Sequence, residues 1–124
     1  MERGKILITE NSVIINPIKG SVWLSDWEIA NLFGVYQVKI SSNIRSILKS
    51  GVLWKEDVFK CYYYSNGSSV DLYNLEMITA LAFRIHSPKA DRFRAWLMKQ
   101  ATIAKPKIEP TVIFLDTTSR IMFN

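Results

Sequence analysis

The chain has 124 residues, of which 48% are hydrophobic and 22% are charged, a balance that predicts one folded domain and excludes a disordered segment. One cysteine and one histidine exclude a disulfide framework and a zinc cluster, so no metal and no cofactor are expected. No apolar run is long enough to cross a bilayer, and no secretory signal is recognisable, which predicts a cytoplasmic protein without membrane contact.

The first elements in chain order are β-like. Runs of apolar, β-branched residues at 5–9 and 13–16 are separated by polar residues and predict an amino-terminal hairpin. Residues 22–24 are a candidate short strand, which would lead directly into the first helix.

Two short helices follow. Ser25 and Glu28 form a Ser-x-x-Glu capping box, which predicts a helix start, and Gly34 supplies the residue that ends the helix. A second helix is predicted from Gln37 to Lys49, ended by Gly51. Its apolar residues recur with helical spacing, which predicts a buried stripe: Ile40, Ile44, Ile47 and Leu48.

The second half of the chain predicts another hairpin and two more helices. Strands are predicted at 57–64 and 68–73, joined by the turn-forming residues 65–67. A buried helix is predicted from Leu75 to Ile85, and Pro88 opens the last one.

These elements predict an α+β fold, a winged helix-turn-helix-like domain with an N-terminal β-hairpin, a wing hairpin and two C-terminal helices. The domain is assigned to residues 1–105, and residues 106–124 to a C-terminal tail. Within the tail, residues 111–115 form a β-like run that would add a strand.

The residues around the first two helices carry the functional hypothesis. A helix-turn-helix needs a small residue where its helices cross and a glycine at the turn, and Ala30 and Gly34 stand at those positions. The outer face of the second helix contains no acid and predicts entry into the major groove of double-stranded DNA, although it could equally be a solvated face. The predicted DNA-contacting residues are Tyr36, Gln37, Lys39, Ser42, Asn43, Arg45, Ser46 and Lys49. Gln37 and Asn43 can make bidentate hydrogen bonds to adenine, whereas Lys39 and Arg45 can reach guanine or the phosphate backbone.

The net charge of +5 is concentrated in residues 36–60 and 84–107. Further wing or backbone contacts are therefore predicted at Lys60, Asn66, Lys89, Arg92 and Lys99. Turn formation is the simpler role for Asn66, and a solvated helix face explains the last three equally well. Asp26, at the start of the first helix, opposes phosphate contact there.

Four sequence blocks carry a family resemblance. They are Val22-Trp23-Leu24-Ser25, Ala30-x-Leu32-Phe33-Gly34-Val35, Tyr73-Asn74-Leu75-Glu76-Met77-Ile78, and Arg84-Ile85-x-Ser87 with Phe93-Arg94-x-Trp96. In these blocks the chain resembles the RhuM family of bacterial virulence-associated proteins, and its last block is similar to phage antirepressor-type amino-terminal domains. The resemblance implies a DNA-binding protein. Residues 36–39 depart from the Ser/Arg/Thr-rich segment typical of that family, so the DNA target is expected to differ.

The leading hypothesis is a transcription regulator of phage or mobile-element origin, with double-stranded DNA as partner and a homodimer formed through residues 111–123 as an option. The alternative is a protein-protein interaction module of antirepressor type, whose contact surface would be the aromatic strand at 59–64. No nucleotide-binding loop or catalytic triad spacing is present, so neither an enzyme nor a small-molecule substrate is expected.

Overall fold

The computed structural model describes residues 2–103 of the chain, and the fold is α+β as predicted. Strands β1 (Lys5–Ile8) and β2 (Val13–Asn16) form the expected antiparallel hairpin. Ile8 and Val13 are opposite each other and buried, whereas the neighbouring pair, Leu7 and Ile14, is exposed. The alternation of strand side chains thus directs one face of the hairpin into the core.

Helix α1 (Asp26–Phe33) begins and ends at the predicted residues. The Ser25 side chain accepts a hydrogen bond from the Glu28 backbone N–H, and the Glu28 carboxylate accepts one from the Ser25 backbone N–H. Gly34 ends the helix in the left-handed conformation, with φ of 69°. Both helix ends therefore have their exposed backbone groups satisfied by local sequence signals.

Helix α2 (Gln37–Ser50) follows after residues 34–36 and ends at Gly51, again in the left-handed conformation. Its start carries no side-chain cap, since Tyr36 makes no capping hydrogen bond. Of the predicted stripe, Ile40, Ile44 and Ile47 are buried against the rest of the domain, and Leu48 is half-buried against the core.

The second hairpin consists of strands β3 (Phe59–Tyr63) and β4 (Ser69–Tyr73), paired antiparallel. The prediction that its first strand begins at residue 57 was wrong, because α3 (Lys55–Val58) occupies that segment. Two acids in the first turn of α3 favour the helical N-terminus, and burial of Val58 overrides the β preference of its branched side chain.

The segment at 22–24 does not form a separate strand, but Leu24 forms a bridge with β4. The Leu24 N–H donates to the Tyr73 carbonyl at 3.0 Å, and the Tyr73 N–H donates to the Leu24 carbonyl at 2.8 Å. These two bonds fix the second hairpin to the residues immediately before α1.

Helices α4 (Leu75–Ala82) and α5 (Pro88–Ile103) complete the described structure. Helix α4 is shorter than predicted, since Ile85 lies in the following turn, yet that side chain is fully buried. The rings of Phe33 in α1 and Phe93 in α5 meet edge to face at 5.8 Å between centroids. The core is formed by fully buried side chains from α1, α2, α4 and α5 and by Ile85 after α4: Ile29, Phe33, Ile40, Ile47, Met77, Ile78, Leu81, Ile85 and Phe93.

The predicted tail at 106–124, including the β-like run at 111–115, lies outside the described residues. Among residues 2–103, no helix combines the length and apolar character that crossing a bilayer requires.

Candidate nucleic-acid interface

The outer face of α2 is the most complete candidate surface. Most of the residues predicted there are exposed on this helix or at its start: Tyr36, Lys39, Ser42, Arg45, Ser46 and Lys49. Gln37 and Asn43 are half-buried. Within residues 2–103, the side chains of Lys39 and Lys49 make no hydrogen bond or ion pair, so both ammonium groups are available to an anionic partner.

Gln37 is held by the neighbouring helix. Its Nε2 donates to Asp26 Oδ2 at 2.7 Å, while Asp26 Oδ1 accepts from the Trp27 backbone N–H at 2.8 Å. Asp26 thereby joins the first turn of α1 to the first turn of α2. The predicted bidentate contact of Gln37 with adenine would have to break or share this hydrogen bond.

Asn43 is also engaged within the protein. Its Nδ2 donates to the Lys39 carbonyl at 2.8 Å, one helical turn earlier. Ser42 Oγ lies 3.4 Å from the same carbonyl oxygen. The two carboxamides predicted to contact bases therefore both have intramolecular partners in this structure.

Arg84 joins this surface from a different element, and the sequence-based site prediction omits it. It lies in the turn after α4, is exposed, and its Nη1 donates to Ser46 Oγ at 2.7 Å. Its place in the basic block at 84–107 was the only sequence signal, since nothing local indicates that this turn packs beside α2. Arg84 adds a cation to the outer face of α2.

Val38 is the second residue that the prediction omits. It is 66% exposed and shares its line on the helix surface with Ser42, Arg45 and Lys49, at spacings of four, seven and eleven residues. A helical projection of α2 would have identified it. The outer face therefore has an apolar group near its N-terminal end.

Lys60 and Asn66 of the second hairpin, both predicted to contact DNA, make contacts within the protein. Lys60 Nζ lies 4.2 Å from the centroid of the Trp23 ring, in a cation–π geometry. Asn66 Oδ1 accepts hydrogen bonds from the backbone N–H and the hydroxyl of Ser68. Asn66 thus stabilises its own turn, as expected of an asparagine at that position.

The basic residues predicted on α5 lie beside the first hairpin. Lys89 lines a groove of about 800 Å³ between that hairpin and α1. Arg92 and Lys99 line a smaller groove of about 220 Å³ against the turn at 9–12. The structure does not bring these three side chains onto the outer face of α2, and their predicted contact with phosphate stays a prediction.

The first turn of α1 contains two acids with different surroundings. Arg3 binds both carboxylate oxygens of Glu28, at 2.5 and 2.8 Å. These hydrogen bonds, assisted by the one from the Ser25 backbone, hold the pKa of Glu28 below its ordinary value. Glu28 is thus charge-paired, whereas Asp26 makes no ion pair with any cation of residues 2–103.

The side chains that could ligate a metal are dispersed in the described part of the chain. No three histidine, cysteine, aspartate or glutamate side chains of residues 2–103 lie close enough to hold a metal ion. His86 is exposed and Cys61 is a half-buried free thiol. The chemistry that this surface offers is hydrogen bonding and attraction of negative charge.

Comparison of the chain with protein-family models, with curated proteins and with solved structures finds no match. The resemblance to the RhuM family therefore stays a prediction.

Proposed function

We propose that the protein binds double-stranded DNA through the outer face of α2, as a winged helix-turn-helix-like transcription regulator. The observation that supports the proposal is the charge of that face. It contains no acid, it has Arg45 and two lysines that are unpaired among residues 2–103, and Arg84 joins it from another element. Such a surface suits phosphate contact together with base contact in the major groove.

The arrangement of the elements is also typical of this class. A short helix, a turn with a left-handed glycine at Gly34 and a longer second helix correspond to a helix-turn-helix. The second hairpin corresponds to the wing, and the bridge between Leu24 and Tyr73 adds a short third segment beside it. In such domains the wing lies against the DNA backbone beside the second helix.

The dimensions of the surface agree with a groove contact. Lys39 and Lys49 are ten residues apart on the helix, which corresponds to about 15 Å along its axis. If four cations, including Arg45 and Arg84, neutralise phosphates, the logarithm of the affinity should fall with the logarithm of salt concentration at a slope of about −3 to −4.

The decisive experiment is a fluorescence-anisotropy titration of a mixed-sequence DNA duplex at several salt concentrations. The double variant Lys39→Ala/Arg45→Ala is compared with the wild type and with Lys5→Ala/Lys19→Asn, which removes two exposed cations outside α2; asparagine is used because Lys19 has a positive φ of 52°. We expect salt-dependent binding by the wild type and the control, and a strong loss for the first variant. Equal losses in both double variants would contradict a contact at α2 and indicate a general charge effect.

A second function is favoured by the aromatic residues of the second hairpin. Tyr63 is 71% exposed and Tyr64 is 47% exposed, which is an unusual amount of aromatic surface for a short hairpin. If no duplex binds at any salt concentration, the antirepressor-type alternative is preferred, and this hairpin becomes the surface for a protein partner. Light scattering at high protein concentration tests the separate prediction that the protein forms a homodimer.

A further inference from the structure

Val38 is an apolar side chain in the middle of a polar surface. It is 66% exposed, in the first turn of α2, on the same line as Ser42 and Arg45. The buried stripe of the helix is formed by other residues, so Val38 contributes nothing to the core.

The hydrogen bonds of Gln37 and Asn43 limit which base edges the start of α2 can bind. The Gln37 carboxamide is bound to Asp26, and the Asn43 carboxamide is bound to the Lys39 carbonyl. One N–H of each carboxamide is thus already donated within the protein, and a bidentate contact with adenine would have to share or break that bond. Val38 remains as an unengaged group at the end of the helix that typically meets base edges.

The major groove offers one apolar group to such a side chain. Base edges there present hydrogen-bond donors and acceptors, except for the C5-methyl group of thymine. We propose that Val38 contacts the 5-methyl group of a thymine and makes the protein prefer thymine at one position of the target site. This inference rests on the proposed DNA-binding function, which it extends to the base that α2 recognises.

The expected loss of affinity follows from the apolar area of one methyl group. Removing one methyl group from an apolar contact corresponds to about a four-fold loss of affinity. Deoxyuridine differs from thymidine only by that methyl group and pairs identically with adenine. Replacing a single thymine with deoxyuridine therefore probes the contact without changing hydrogen bonding.

The test begins with selection of a binding site for the wild-type protein from a pool of random duplexes. Each thymine of the selected duplex is then replaced in turn by deoxyuridine, and the dissociation constants are measured by anisotropy. We expect one position at which the wild type loses about four-fold in affinity and Val38→Ala loses nothing. The control Lys39→Ala should weaken binding to both duplexes equally, and so preserve the ratio between them.

Three results would overturn the inference. A selected site without a preferred thymine, or one at which no replacement matters, would leave DNA binding in place and remove the role of Val38. A ratio that persists in Val38→Ala would assign the methyl contact to another residue. Absence of binding to every duplex would remove the proposed function together with this inference. Because Val38 is exposed in a helix and alanine has the higher helix propensity, its variant should unfold in urea at or slightly above the wild-type midpoint, which excludes misfolding as the cause.

Discussion

Arg84 donates a 2.7 Å hydrogen bond to Ser46, although one residue lies in the turn after α4 and the other on the outer face of α2. A guanidinium group has five N–H donors, so this bond leaves the others available to phosphate oxygens. The contact with Ser46 fixes the position of a charge that would otherwise move with a long, flexible side chain.

Replacing Arg84 with alanine is expected to make the salt dependence of DNA binding shallower by about one unit in the log–log slope, because one phosphate contact is lost. Ser46→Ala keeps the charge and should leave the slope unchanged while weakening affinity slightly. Anisotropy titrations over a salt series measure both quantities. An unchanged slope in Arg84→Ala would show that this arginine does not contact phosphate.

Asp26 should oppose DNA binding, because it places a negative charge at the start of α1, close to Gln37. Asp26→Asn is expected to tighten binding by about two- to five-fold at low salt, with a smaller gain at higher salt as screening increases. The control Glu10→Gln removes an exposed acid from the first hairpin and should have no effect. Weaker binding by Asp26→Asn would mean that its bond to Gln37 matters more than its charge.

The ion pair between Arg3 and Glu28 should make stability depend on pH. Since the pKa of Glu28 is lowered in the folded state, its contribution is present above the ordinary value of 4.5 and is lost as the pH falls through the folded value. Glu28→Gln should be less stable than the wild type by about 0.5–1 kcal/mol at pH 7, with a smaller difference at pH 3. Urea unfolding at both pH values measures this difference.

The partner variant Arg3→Met should reproduce most of the loss at neutral pH. A stability difference of equal size at pH 7 and pH 3 would contradict the electrostatic origin, and would assign the effect to the capping hydrogen bond with Ser25.

Gly34→Ala is expected to lower the free energy of unfolding by about 1–2 kcal/mol. The cost arises from the backbone alone, since φ is +69° and an added Cβ would meet no atom within 4 Å. Gly34→Asn should recover part of the loss, because asparagine tolerates this conformation better. Urea unfolding of the wild type, Gly34→Ala and Gly34→Asn measures their order of stability. Equal stability of the wild type and Gly34→Ala would contradict the prediction.

Local signals in the sequence were sufficient for much of the fold. Ser25, Glu28 and Gly34 act within a few residues of each other, so the limits of α1 could be predicted. The end of α2 at Gly51 and the turns of the two hairpins could be predicted for the same reason. Where local propensity competed with tertiary packing, as for Val58, the prediction was wrong, because its side chain is buried in a short helix.

The site was less predictable, since its distinctive contacts join residues that are distant in the chain. The exposure of Lys39 and Arg45 follows from helical spacing alone. The bond between Arg84 and Ser46, and that between Gln37 and Asp26, require knowledge of which elements are neighbours. No periodic pattern contains that information, and the roles assigned to Gln37 and Asn43 were therefore incomplete.

The second hairpin is held at its base and exposed at its tip. The bridge from Leu24 to Tyr73 and the stacking of Lys60 on Trp23 fix its lower part, while residues 63–69 are exposed. Lengthening a loop costs little free energy, about 0.6 kcal/mol for each doubling. The turn at Asn66 is therefore a suitable place to insert a peptide tag or a fluorescent label that would leave α1 and α2 undisturbed.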